Sequence, residues 1–141
     1  MKKNYKTIEL DAKYIPKKTE KYMCDEHRAY FYKLLTAQRD ELVASMDEIM
    51  NDINLAQKAR TAGTGDDADS ASFDTEANMQ LRLHERNANL LKKIDAALER
   101  LDNKTFGYSL LSGDEIGLKR MLVRPLATLT LEEQEDAEKR E

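Results

Sequence analysis

The chain has no Trp, one Cys, two His, two Pro and no apolar run approaching the width of a bilayer. Each scarcity excludes something. Cys24 is alone and cannot close an internal disulfide. With only the widely separated His27 and His84 beside it, Cys24 also cannot complete a four-ligand tetrahedral zinc site, so a metal would have to sit on carboxylates. A membrane-spanning helix needs about 20 mostly apolar residues, which the sequence does not offer, and residues 1–10 lack the apolar stretch of a secretory signal. A cytosolic protein is expected. The 35% charged fraction and mean hydropathy of −0.74 imply a thin core spread along an elongated shape rather than gathered into a sphere. A net charge of −4 argues against holding nucleic acid by neutralising its phosphates, which needs clustered Lys and Arg. A protein partner is favoured.

The 141 residues suffice for one ordinary domain or one small core with an extended appendage. Residues 1–24 mix Lys and Tyr with Pro16 and show no periodicity, which suggests an irregular arm packed on something else. From Asp25 to about Ala59 there is no Gly or Pro, and Phe31, Leu34, Leu35, Leu42, Met46, Ile49, Ile53 and Ala56 recur in steps of three and four. That pattern predicts an amphipathic helix, with Asp25 as its N-cap and Arg60 as a favourable cation at its end. Residues 61–70, with two glycines and three aspartates, must break it. A second helix, capped by Asp69 or Ser70, follows with Phe73, Ala77, Leu83, Leu90, Ile94, Ala97 and Leu101 as a heptad-like seam. Two helices of roughly 35 residues would make an antiparallel hairpin on the order of 50 Å long. Polar Gln38 and Asn87 fall on or beside the seams, where register control or imperfect packing is the ordinary reading. After Asn103, Phe106-Gly107-Tyr108, Gly113, Gly117 and Pro125 mark a compact head at 104–130, and 131–141 reads as a short final helix.

Three groups could carry chemistry. Asp66, Asp67, Asp69, Asp74 and Glu76 form the densest acidic cluster, suited to a basic partner or Mg²⁺, though plain solvation produces the same composition. Arg86, Lys92, Lys93, Lys119, Arg120 and Arg124 run against the acidic average. If the head folds back on the helix, they could make an anion pocket fit for a polyphosphate; otherwise they are solvated or paired. Cys24 at a helix start could have an activated thiol, but an inert one is the plainer expectation. Both histidines read as helix-surface residues, and no nucleophile and base stand together, so no enzyme is expected.

The stretch Phe106-Gly-Tyr-Ser-Leu-Leu-Ser-Gly-Asp-Glu-Ile-Gly-Leu-Lys-Arg-Met-Leu-Val-Arg-Pro-Leu-Ala127 resembles the head of the DksA/TraR family, F-G-Y-C-x-x-C-G-x-x-I-G-x-x-R-L-x-A-R-P-x-A-x-x-C-x-x-C. The framework matches without a gap and the cysteines do not. Ser109, Ser112, Thr130 and Glu133 occupy the four zinc-ligand places. Counting back from Phe106, the family's tip pattern D-x-x-D-x-A falls on Asp66, Asp69 and Ala71. Leu90-Leu-Lys-Lys-Ile94 mirrors its basic helix face, and Glu20-Lys-Tyr-Met23 resembles its approach to the first helix. The likeness covers residues 20 to about 130.

The resemblance implies a mainly α fold. It would comprise an arm at 1–24 packed on the head, and a long antiparallel coiled-coil helical hairpin at 25–103 with its acidic tip at 61–71. A small zinc-finger-like globular head without zinc at 104–130 and a C-terminal helix at 131–141 would complete it. It also implies a monomeric transcription regulator that binds RNA polymerase rather than DNA or membrane. The hairpin would enter the secondary channel and modulate initiation, as at rRNA promoters in the stringent response, with Asp66, Asp69 and Ala71 facing the polymerase active site. The family's alarmone pocket for ppGpp falls on Arg86, Leu90, Lys93 and Arg124, and one further family lysine is Gln134 here. No cofactor and no metal are expected. A zinc-free head would need another source of stability, and Leu110, Leu111, Ile116, Leu118, Met121, Leu122, Val123, Leu126, Leu129 and Leu131 are the apolar set that could provide it. Rival readings are a Gre-like transcript-cleavage factor whose tip carboxylates hold a second Mg²⁺, a carboxylate-metal enzyme, disfavoured for want of Glu-x-x-His pairs, and a purely structural coiled coil.

Overall fold

In a computed structural model, residues 5–61 and 67–140 are described, with the side chains of 67–73 outside that description. A 3₁₀ turn at Tyr5–Thr7 precedes helices α1 (Asp25–Thr61), α2 (Asp67–Asp102), α3 (Leu118–Val123) and α4 (Leu131–Lys139). The expected mainly α architecture is therefore observed. Helix α1 runs through the Gly- and Pro-free stretch, with Asp25 and Glu26 in its first turn and Lys58 and Arg60 in its last, each charge complementing the helix dipole. Helix α2 begins at Asp67, earlier than the cap expected at Asp69 or Ser70, so Thr61 and residues 67–70 of the expected 61–70 break are helical.

The contacts divide the chain into one unit of residues 1–37 and 94–141 and another of residues 38–93. The first holds the core. Phe31, Leu35, Ile94, Ala97, Leu101 and Met121 are fully buried there, and Phe106 nearly so. The Phe31 and Phe106 rings meet at 5.1 Å between centroids, tilted by 50°, which joins the start of α1 to the head. Arg28 Nη2 donates to the Leu101 carbonyl at 2.5 Å, its guanidinium lies 4.1 Å from the Tyr5 ring centroid, and Tyr5 Oη donates to Asp102 at 2.5 Å. The arm is thus fastened to the end of α2 through Tyr5. It is fastened to the head through Tyr22, whose hydroxyl donates to the Gly107 carbonyl at 2.6 Å and accepts from Gly117 N at 3.1 Å.

The head is a tight backbone loop followed by α3. An antiparallel bridge pairs Tyr108 with Glu115, Ser109 N donates to Asp114 O at 2.8 Å, and Leu110 N reaches Thr128 O at 2.9 Å. Of its ten apolar side chains, Ile116, Leu118 and Met121 are buried and Leu122, Leu126 and Leu129 half-buried. Leu110, Leu111, Val123 and Leu131 are 62%, 73%, 76% and 56% exposed, so only part of the candidate apolar set packs inside. A stretch of some twenty-five residues does not enclose enough volume to bury ten large side chains.

In the second unit α1 and α2 run antiparallel, since Arg60 pairs with Asp74 while Asp52 and Ala56, earlier in α1, line a crevice with Glu76 and Gln80. The α1 seam is as the periodicity predicts: Leu42, Met46, Ile49 and Ala56 are half-buried and Ile53 is buried. The α2 seam is not. Leu83 and Leu90 are exposed, and the half-buried positions of this unit include Ala77, Gln80, His84, Asn87 and Leu91, which keep the three-and-four spacing of a heptad. Asn87 sits on the seam as expected, whereas Gln38 is exposed.

Candidate functional site

Of the acidic cluster, Asp66 lies outside the described residues. Asp69 and Ala71 belong by backbone to the first turns of α2, and their side chains are outside the description. Asp74 is ion-paired with Arg60, so at least one of these carboxylates ties α2 to α1 instead of standing free. Glu76 is exposed.

Arg86, Leu90 and Lys93 are all exposed. Their spacing of four and three residues puts them on one face of α2, directed away from the half-buried seam. Leu90, which the heptad reading had placed inside, is instead available to a ligand or partner. Arg124 is exposed at the C-terminal cap of α3 and belongs to the first unit. There it lines an open groove of about 420 Å³ with Ile116, Lys119, Arg120, Val123 and Leu131, an apolar bed edged by cations. The cations are not equivalent. Arg120 Nε donates to the Leu129 carbonyl at 3.1 Å, which holds the segment before α4, so Arg120 is partly committed to the head's own structure. Gln134, where the family has lysine, donates to Glu138 at 3.2 Å.

The four zinc-ligand places come together as a hydrogen-bonded polar cluster. Thr130 and Glu133 form a reciprocal capping box at the start of α4: Thr130 N donates to Glu133 Oε1 at 2.9 Å and Glu133 N donates to Thr130 Oγ1 at 3.2 Å. Ser109 is buried, and its Oγ accepts from Leu111 N at 3.1 Å and Ser112 N at 3.3 Å. A hydrogen bond from the Ser109 side chain, followed by the Thr130 backbone N–H and then by weaker contributions that include Ser112, holds the Glu133 carboxyl down at about 2. Three hydroxyls and one carboxylate supply no thiolate or imidazole. The donor set does not fit tetrahedral zinc. The capping box was legible as Thr130-x-x-Glu133; its closure onto Ser109 was not.

Sequence reasoning also misplaced His27. It is fully buried rather than on the helix surface, and both ring nitrogens lack a hydrogen-bond partner. The Cys24 thiol beside it is pushed up, chiefly by burial, the opposite of an activated nucleophile.

The family described as "DnaK suppressor protein DksA, N-terminal domain" matches residues 27–101. Among curated proteins, the RNA polymerase-binding transcription factor DksA of Caulobacter vibrioides is 35% identical over 128 residues, 91% of this chain and 87% of that protein. The protein of the same name from Escherichia coli K12 is 34% identical over 128 residues, 91% and 82% of the two chains. Among solved structures, transcription factor DksA2 from Pseudomonas aeruginosa superposes with a TM-score of 0.76 at 40% identity, covering 84% of this chain and 88% of that one. No helix among the described residues is long and apolar enough to cross a membrane.

Proposed function

The chain belongs to the DksA family, and on that premise we propose that it binds RNA polymerase and regulates transcription, acting in the cytoplasm as a regulatory factor without catalysis of its own. The observation that carries this reading is the extent of the likeness: relatives named as RNA polymerase-binding transcription factors align with 91% of the chain, helices and head together. The same names favour regulation over the Gre-like alternative of assisted transcript cleavage.

In finer detail, the unit of residues 38–93 enters the secondary channel and brings Asp66, Asp69 and Ala71 toward the polymerase active site to modulate initiation. Leu55, Met79, Leu81, Leu83 and Leu90, exposed on this unit, suit burial against a protein wall. Arg86, Leu90, Lys93 and Arg124 take part in binding ppGpp, a polyanion suited to Arg and Lys. Gln134 removes one cation from that set. The head, whose four ligand places are hydrogen-bonded to one another, stands without zinc.

Retention of purified RNA polymerase on the immobilised chain, with and without a competing Gre-type factor, tests the reading. Retention that the competitor displaces is expected. No retention would refute the proposal, and retention indifferent to the competitor would refute the secondary channel as its place.

A further inference from the structure

Glu20, Cys24 and His27 present one carboxylate oxygen, one thiol sulfur and one imidazole nitrogen, all within 4.8 Å of one another. Three local features bring them together. The turn closed by Glu20 N to Lys17 O at 3.1 Å places Glu20; Met23, with φ at 52°, reverses the chain; and Cys24, just ahead of the first residue of α1, lies one helical turn before His27. Residues three apart at a helix start share a face.

His27 is the observation that calls for a ligand. It is fully buried, yet neither ring nitrogen has a hydrogen-bond partner, and buried polar atoms are rarely left so. Its Nε2 stands 3.6 Å from Glu20 Oε1, too far for a hydrogen bond but close to the roughly 3.4 Å separating two N/O ligands on a tetrahedral ion with bonds of about 2.0–2.1 Å. The carboxylate is already oriented. Tyr14 Oη donates to both Glu20 oxygens at 2.9 Å and Lys17 N donates to Oε1 at 3.0 Å, the kind of outer support that metal-binding carboxylates receive. Of the three ligands, Cys24 also lines an open groove of about 450 Å³, with Tyr22 and Arg28 among others.

The geometry points to a three-ligand site for a first-row divalent cation, zinc above all, at the start of α1, with Glu20 Oε, Cys24 Sγ and a His27 ring nitrogen as ligands and a water in the fourth position. Mixed S, N and O donors select Zn²⁺, Co²⁺ or Ni²⁺ over Mg²⁺ or Ca²⁺. Binding releases the Cys24 proton, since the thiolate is the ligand. The site is separate from the head and does not rest on the polymerase reading.

Titrating the full chain with Co²⁺ alone tests it. One equivalent should bind with a thiolate-to-cobalt charge-transfer band and tetrahedral d–d absorption, and Zn²⁺ should bleach both. Tyr14→Phe, which removes only the outer hydrogen bond, should weaken binding about tenfold, and Glu20→Gln more. Both variants leave His27 in place, and circular dichroism verifies their fold. Absence of the charge-transfer band at tenfold excess Co²⁺ would overturn the site, as would an affinity unchanged by Glu20→Gln. A matching loss of affinity in Ser109→Ala would move the metal to the head and equally overturn it.

Discussion

Thr130 and Glu133 close a reciprocal capping box at the start of α4, and the Ser109 side chain, from the first loop of the head, is the largest influence holding the Glu133 carboxyl down. These are three of the four positions that the family resemblance assigns to zinc ligands. The contribution of Glu133 to this arrangement depends on protonation.

The pH dependence follows from the sign of the shift. The Glu133 carboxyl is depressed from an ordinary 4.5 to about 2 in the folded chain, so its stabilisation is complete above pH 4.5 and is lost as pH falls toward 2. Glu20 and Asp102 are lowered as well, so the informative quantity is a difference between proteins. Thermal unfolding of the parent and of Glu133→Gln should diverge at pH 6 and converge near pH 2. A constant difference across that range would mean that the carboxylate charge contributes nothing to the head.

Gly107 and Gly113 both have positive φ, at 88° and 77°, but only one is crowded. A Cβ on Gly107 would lie 2.7 Å from Met23 Cε and 2.9 Å from Tyr22 Oη, whereas nothing stands within 4 Å at Gly113. Met23 can swing aside; Tyr22 cannot without giving up its bonds to Gly107 O and Gly117 N. Gly113→Ala should cost about 1–2 kcal/mol from backbone strain alone, and Gly107→Ala about 1–3 kcal/mol more from overpacking. Urea denaturation of the two variants gives the ordering.

Lys93 is exposed on α2. If it serves the proposed alarmone site, Lys93→Ala should diminish the ppGpp-dependent part of regulation while leaving polymerase retention and unfolding midpoint close to the parent. Transcription assays with and without ppGpp separate these effects. Equal loss of regulation and retention would assign Lys93 to polymerase contact instead.

Asp69→Asn alters one charge and almost no volume near the start of α2. Asn is as good as Asp in capping geometry, so stability should stay within about 0.5 kcal/mol. Polymerase retention should persist, because the remaining contact area is untouched, while promoter regulation should fall sharply. A variant that regulates like the parent would reduce the tip acidity to a matter of solvation.

The sequence by itself determined the two long helices, to within a few residues at their ends, and the framework of the head. An uninterrupted run without Gly or Pro from Asp25 to Thr61 leaves the backbone little alternative to helix, the Gly- and Asp-rich stretch ends it, and the head motif repeats its family's spacing without a gap. These are local properties, readable from neighbours in the chain. The phase of the α2 seam was not. Leu81, Leu83, Leu90 and Leu91 place apolar groups on more than one face, and a helix with two apolar faces has no unique buried side until a partner covers one. Tertiary packing buried Leu91 in part and left Leu90 outside. It likewise decided the burial of His27, the closure of Ser109 onto Glu133 and the exposure of Leu110 and Leu111, because each depends on segments far apart in sequence meeting in space. Pattern records which residues can be buried together; only the fold decides which of them are.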